Sequence, residues 1–278
     1  MKAPVNTSWN SPLTLADKKD AYGNKTGKRP CLDPRHINRY LPDDRYPLPL
    51  IREIFQDLGG SKVFTTLDLT NAFHRFKIKD DDQHKTTFTH NGQQYMFQGC
   101  PFGLKPISSK FQRVMHIIFQ DMPFVRTFVD DIVIFSSDMK AHLAHVQQAI
   151  HALTATNLIL NPNKCHFAQT SIYLLGFCIS HNGITLDPRK VSNAVQWPVP
   201  QNGKDIQRFM GIINYFRSHI PNVSQISAPL EALREKGCLK GLWGNDHTLR
   251  FNKLKEALVA NVPLKYPNLH EPFYVATD

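Results

Sequence analysis

Phe128-Val129-Asp130-Asp131-Ile132-Val133-Ile134-Phe135-Ser136 sets two adjacent carboxylates between arms of β-branched and aromatic residues. Such residues favour strands, so the stretch, with Val125 to Phe128 leading into it, reads as a hairpin carrying its acids at the tip. Neighbouring side chains on a regular strand point to opposite faces, a restriction that the twist of a hairpin tip relaxes. Asp68 stands near the end of a third apolar run, Val63-Phe64-Thr65-Thr66-Leu67-Asp68-Leu69. Carboxylates gathered in an apolar setting repel, and their pKa values rise unless a cation neutralises them. Mg²⁺ takes oxygen ligands and is commonly held by one or two carboxylates plus substrate phosphates. Two such ions can activate an attacking hydroxyl and stabilise a leaving pyrophosphate. The plain alternative is a turn without chemistry, and Asp43-Asp44 and Asp80-Asp81-Asp82 read as turns or helix caps. Against it, burying two adjacent acids in so apolar a hairpin is costly unless something uses them.

Outward from this hairpin the chain alternates short strands and helices. Pro12 to Ala16 has strand character, and Asn10-Ser11-Pro12 and Asn24 to Gly27 are turn signals. Ile51, Ile54, Phe55 and Leu58 recur at helical spacing until Gly59-Gly60 ends the helix. Asn91-Gly92 between Thr87–His90 and Gln94–Phe97 marks a hairpin, because both turn positions want positive φ. Ser108 to Phe119 places Phe111, Val114, Met115 and Ile118 on one helical face. Ser136, Ser137 and Asp138 can cap a helix that carries Leu143, Val146, Ile150 and Leu153. Ile172 to Ile179 and Ile184 to Leu186 form another hairpin about Asn182-Gly183. From Pro188 the chain turns helical, with Ile206, Phe209, Met210 and Ile213 as its stripe, and Phe273-Tyr274-Val275 is β-like. The pattern is α+β for about 185 residues, then a small helical unit.

With 278 residues, 41% hydrophobic and 20% charged, the chain is an ordinary folded protein of about two packed units, not disordered, collagenous or coiled coil. No apolar run reaches the ~18 residues of a membrane span, and Met1-Lys2-Ala3-Pro4 begins no signal peptide. Five cysteines without a C-x-x-C pair fit neither a disulfide scaffold nor a zinc ribbon, and suit a reducing compartment. A net charge of +10 favours a polyanionic partner. His142 and His145, with His151 beyond them, are read on a polar stripe opposite Leu143, Val146 and Ile150, which argues against a zinc face; Cys165-His166 reads as packing.

The hairpin sequence resembles the catalytic hairpin of reverse transcriptases, and its surroundings are most similar to the polymerase of gypsy-type LTR retrotransposons. The family's blocks follow in order: Ser11-Pro12 through Lys18-Lys19-Asp20, Arg29 to Arg35, Arg45 to Pro49, Leu67-Asp68-Leu69, Pro101-Phe102-Gly103-Leu104, the hairpin, Leu175-Gly176, and Asn214 to Arg217. The match runs from about residue 9 to the end. Phe128 stands for a frequent tyrosine, Ser108-Ser109 for a usual Pro-Ala pair, and Arg75 for a usual glutamine.

The resemblance implies a right-hand polymerase with an antiparallel palm sheet. Fingers are expected from 1–45 and 77–106, palm from 46–76 and 107–182, and thumb from 183–236. Residues 237–278 would form a tether and the first strand of an RNase H-like domain. It implies that Asp68, Asp130 and Asp131 are the catalytic, metal-binding acids for two Mg²⁺ ions, with Mn²⁺ as a substitute. Lys18 and Arg29 match the basic pair on the incoming triphosphate. Phe73 matches the aromatic that crowds the sugar 2′ position, with core packing as its bland alternative. Phe102 and Gly103 match the segment lining the nucleotide pocket, and Leu175-Gly176 the turn holding the primer terminus, where a missing Cβ lets a backbone approach. The implied partners are an RNA or DNA template with primer, dNTPs, and the rest of a Pol polyprotein with RNase H, protease and integrase. The implied setting is intracellular, cytoplasmic or in virus-like particles, and neither secreted nor membrane-bound. Family members carry a helical leader before Trp9, and Tyr274 to Asp278 resembles the opening strand of RNase H, so a truncated piece of Pol is expected. The reading of another class is an inert nucleic-acid-binding or scaffolding remnant; a metal nuclease would leave the triphosphate-gripping positions without purpose.

Overall fold

The computed structural model describes residues 7–19, 25–267, 272 and 274, without the side chains of Lys19 and Arg29. The chain divides into two compact units, Met1–Ile172 and Tyr173–Asp278. The β-like end expected at Phe273-Tyr274-Val275 and the RNase H-like strand through Asp278 lie, apart from Tyr274, outside the described residues.

The first unit opens with an antiparallel hairpin, β1 (Leu13–Lys19) and β2 (Lys25–Leu32), in register from Leu13↔Leu32 until a shift between Lys18 and Lys19. Helix α1 (Ile51–Asp57) and the residue after it bury Ile54, Phe55 and Leu58, the stripe its spacing predicts. Then follow β3 (Val63–Leu67), the single turn α2 (Asp80–Gln83), and the hairpin β4 (Phe88–His90) and β5 (Gln93–Tyr95). Asn91 and Gly92 take φ of 48° and 74°, as an Asn-Gly turn should. Next come α3 (Ile107–Phe119), β6 (Val125–Phe128), β7 (Asp131–Ser136), α4 (Met139–Ala155) and β8 (His166–Gln169). The central sheet has the order β6-β7-β3-β8 and is antiparallel throughout. Its core joins Leu67, Ile132 and Ile134 of the sheet to Phe111 and Met115 of α3 and Ala149 and Leu153 of α4. Asp138 caps α4, its carboxylate accepting from Ala141 N–H at 3.0 Å.

The face that α4 buries differs from the expected one. His142 is 1% exposed and Leu143 65% exposed, so the histidine lies inward and the leucine outward. The hydroxyls of Thr65 on β3 and Ser136 on β7 receive the His142 ring, which turns a polar residue into a core residue. Likewise, the acids Asp43 and Asp44 form ion pairs, with Lys105 and Arg113, both at 2.7 Å.

The second unit holds β9 (Ser171–Leu174, starting just before the boundary), β10 (Phe177–Ser180) and β11 (Gly183–Leu186) in the order β11-β10-β9. The run from Ile172 to Ile179, read as one strand by its β-branched content, is broken at Leu175-Gly176. Four helices follow: α5 (Pro188–Val195), α6 (Gly203–Tyr215), α7 (Val223–Glu231) and α8 (Asn245–Ala260). Ile206, Phe209, Met210 and Ile213 of α6 are all buried, as predicted. After α8, Leu264 bridges Ile184 on the free edge of β11, and a Cβ on Gly183 would stand 2.4 Å from the Leu264 carbonyl oxygen. That close approach explains the glycine.

His219 pins this returning segment. Its Nδ1–H donates to the Val262 carbonyl at 2.9 Å, while the buried Nε2 has no partner. Burial holds its pKa below the ordinary 6.5. The unfolded chain therefore binds more protons below about pH 6.5, so stability is full above that value and declines as pH falls. Thermal melts between about pH 8 and 5 are expected to show a falling midpoint whose acid slope lessens in His219→Gln; an unchanged slope would remove His219 from that linkage.

Candidate active site

Phe128 pairs with Asp131 across β6 and β7, leaving Val129-Asp130 as a two-residue turn. Val129 takes φ of +55°, a conformation that glycine adopts freely and a β-branched residue adopts only under strain. Gln112 of α3 holds it there. Its Oε1 accepts from Val129 N–H at 2.7 Å, and its Nε2 donates to the Thr127 carbonyl at 3.2 Å and to Thr127 Oγ1 at 3.1 Å. Gln112 is buried among Phe111, Met115 and Phe119. Sequence reasoning missed it, although a glutamine next to the apolar face of α3 was a visible signal. Gln112→Leu is expected to orphan the Val129 N–H and destabilise the fold by ~1–3 kcal/mol. Thermal melting checks it: a midpoint like that of the wild type would show that the turn keeps its shape unaided.

Leu67 pairs with Ile132 as the last rung of β3 and β7, so the next position on each strand is an aspartate, Asp68 facing Asp131. Asp130 follows in the turn. Asp131 reaches solvent, yet the protein packed around it, and next the charges of Asp130 and Asp68, push its carboxyl up to about 6. The acids are thus electrostatically coupled, which is the condition a bound cation relieves. The main chain of Asp68 is fixed from the far side of the sheet, where Asn161 N–H donates to its carbonyl at 2.8 Å and Leu69 bridges Leu160. Its side chain turns to Lys164, with Nζ 3.5 Å from Oδ2. Among the described residues, no three acidic, histidine or cysteine side chains converge into a ligand set as they stand. Oxygen donors alone at these positions match a hard cation such as Mg²⁺. Lys164 was also missed, as nothing local marks a lysine for a carboxylate 96 residues away.

Phe73 lies on the short turn Ala72–Arg75 that follows Asp68. Its ring meets Phe102 edge-on at 5.0 Å and Phe111 at 5.1 Å, and it is 6% exposed. Phe102 is 43% exposed and is also buttressed by His74 at 5.5 Å, whose ring lies parallel to Phe97. Burial keeps His74 below the usual histidine pKa. Gly103, at φ of +87°, abuts Pro34, and Asn38 clamps its loop by donating to the Gly103 carbonyl and accepting from Lys105 N–H, both at 2.9 Å. Phe73, Phe102 and Gly103 thus belong to one assembly. Lys18 is exposed and pairs in register with Gly27, while Arg29 pairs through its backbone with Ala16.

In the second unit Leu175 and Gly176 take φ of +50° and +81°, which gives β9 and β10 a tight turn. Tyr215 O–H donates to the Leu175 carbonyl at 2.6 Å, and Asp187 N–H to that of Gly176 at 3.1 Å. The turn borders a cleft of about 600 Å³ that carries Lys190 and Arg208 beside Gly211 and Tyr215. Nearby, burial alone would raise the Asp187 carboxyl, but its hydrogen bonds with Arg189 outweigh this and hold it low.

An acid-tipped hairpin beside a third acid, on an antiparallel sheet backed by two helices, is the palm arrangement of a nucleotide polymerase. Residues 16–179 match the family model described as reverse transcriptase (RNA-dependent DNA polymerase), and the chain belongs to that family. Within it, the chain is similar to gypsy-type retrotransposon Pol sequences. It is 33% identical over 290 residues to the retrovirus-related Pol polyprotein from transposon gypsy of Drosophila melanogaster, and 32% over 292 residues to that from transposon opus of the same fly. Those alignments cover 99% of this chain but only 28% and 29% of the polyproteins. Among solved structures, the foamy viral protease-reverse transcriptase in complex with double-stranded DNA superposes with a TM-score of 0.84 at 24% identity, over 95% of this chain and 46% of that one. The same enzyme in complex with an RNA/DNA hybrid gives 0.80 at 25% identity, over 92% and 34%. The fold is that of the reverse transcriptase polymerase, α+β with an antiparallel sheet. Among the described residues, no helix is long and apolar enough to cross a membrane.

Proposed function

We propose that this chain extends a primer 3′-hydroxyl with deoxynucleotides on an RNA or DNA template. The observation that carries the reading is the coupling of Asp68, Asp130 and Asp131 at the meeting point of β3 and the β6–β7 turn. These acids would hold two Mg²⁺ ions, which when bound polarise the attacking hydroxyl and neutralise charge on the phosphates. Gln112 would keep the turn in shape, and Lys164 would lie beside Asp68. Phe102 and Gly103 would form the floor under the incoming nucleotide and Phe73 would crowd its 2′ position. Lys18 and Arg29 on the β1–β2 hairpin would take its triphosphate, as a point charge and a planar fork respectively. Leu175-Gly176 would support the primer end.

In the language of the family, fingers would comprise 1–45 and 77–106, palm 46–76 and 107–182, and thumb 183–236, with 237–278 leading toward an RNase H domain. The +10 net charge suits a duplex phosphate backbone and strong salt dependence. The foamy viral enzyme's complexes with DNA and with an RNA/DNA hybrid support both kinds of duplex as partners. Deoxynucleotides, the remainder of a Pol polyprotein and a setting inside the cell or a virus-like particle complete the reading.

The test is primer extension on an RNA template by the purified chain with dNTPs and Mg²⁺. Metal-dependent incorporation supports the polymerase; duplex binding without incorporation would establish an inert binding remnant instead.

A further inference from the structure

The buried histidine of α4 has no part in the chemistry proposed above, yet it touches both strands that carry the acids. His142 Nε2 lies 2.7 Å from Thr65 Oγ1 on β3, and Nδ1 lies 2.8 Å from Ser136 Oγ on β7. Ser136 Oγ is also 2.8 Å from His145 Nδ1, and the His145 ring lies flat on Phe124 with centroids 3.8 Å apart. From β8, Ala168 N–H donates to Thr65 Oγ1 at 3.0 Å, at the point where the β3–β8 ladder is irregular between Phe64 and Thr66. The Thr65 hydroxyl therefore stands in for a missing rung.

Donor counting orders this chain. Ser136 has one hydroxyl hydrogen and faces two imidazole nitrogens, so at least one of those nitrogens carries its own proton. Thr65 accepts from Ala168 N–H, and its own hydrogen, buried with the residue at 0% exposure, finds an acceptor here if it goes to His142 Nε2. His142 is then the Nδ1–H tautomer and donates to Ser136, whose hydrogen goes to His145 Nδ1. Each group in the chain Ala168–Thr65–His142–Ser136–His145 gives and receives in one direction. An apolar side chain at 142 would leave the Thr65 hydrogen without an acceptor and take one donor from Ser136, at residues 0% and 4% exposed.

We propose that His142 is a positioning residue for the acidic site: a neutral Nδ1–H imidazole that clasps β3, β7 and β8 and so sets Asp68 against Asp131. The role rests on the reading of those aspartates as the catalytic acids. From Thr65 the strand runs through Thr66 and Leu67 to Asp68, and from Ser136 the partner strand runs back to Asp131, five rungs in register from Val63↔Ser136 to Leu67↔Ile132. A slackened clasp would let the two acid-bearing strand ends drift, which a metal site of defined geometry feels before duplex binding does.

The experiment has two arms on the full chain. Long-range proton–nitrogen NMR of histidine-labelled protein near neutral pH is expected to show His142 as the Nδ1–H tautomer and His145 as Nε2–H. In primer extension, His142→Leu should lower kcat about tenfold and raise the Mg²⁺ concentration for half-maximal rate about threefold, with duplex Kd unchanged. His142→Gln, which keeps one donor and one acceptor, should recover most of the rate, and Thr65→Val should reproduce the defect in smaller measure. An Nε2–H or imidazolium His142 would overturn the proposal. So would a His142→Leu enzyme with the rate and Mg²⁺ requirement of the wild type, or a glutamine variant no better than leucine. An inactive wild type would overturn the polymerase reading and this role with it, whereas an active wild type with an unaffected His142→Leu overturns this role alone.

Discussion

Asp130→Asn is expected to lower primer extension by about a thousandfold or more while leaving affinity for a template–primer duplex within about twofold of the wild type. The substitution is close to isosteric and removes one negative charge from a coupled set. Asp131 is raised to about 6 by the packing around it, then by Asp130 and Asp68, so neutralising Asp130 relieves repulsion that the folded chain now carries. The melting temperature should therefore hold or rise even as activity disappears, the pattern of an acid kept for chemistry at the expense of stability. Rate, duplex affinity by fluorescence anisotropy, and thermal melting decide it together. A parallel loss of rate and affinity would make the residue structural, and persisting extension would remove it from the site.

Phe73→Val is expected to cut discrimination against ribonucleotides about a hundredfold, with kcat/KM for dNTPs falling less than about tenfold. The Phe73 ring has little freedom, because Phe102 and Phe111 hold it at 5.0 and 5.1 Å. A rigid edge can refuse a 2′-hydroxyl where a mobile side chain would yield. The same burial means that shortening the ring destabilises the fold by ~2–4 kcal/mol. Incorporation is therefore measured well below the variant's melting temperature, with Phe73→Tyr, which keeps the ring, as the control. Unchanged selectivity in Phe73→Val would reduce the residue to core packing.

The element types were largely legible because their signals are local. β-branched and aromatic residues marked β3, β6 and β7, Asn91-Gly92 marked its turn, and the period of Ile206, Phe209, Met210 and Ile213 marked α6. The same reasoning misphased α4. Periodicity classes histidine as polar and leucine as apolar, and so put Leu143 inside and His142 outside, the reverse of the structure. Ile172 to Ile179 read as one strand from composition, and only the resemblance flagged the turn at Leu175-Gly176.

By itself the sequence determined which segments become strands and helices, and that acids would sit at a strand end and a hairpin tip, since these depend on neighbours a few positions apart. The tertiary structure alone decided how the polar groups of the site are satisfied. Gln112 reaches Val129 over 17 residues, His142 reaches Thr65 over 77, and Lys164 reaches Asp68 over 96. A buried donor or acceptor costs free energy until a partner arrives, and that partner is supplied by whichever element the packing brings alongside.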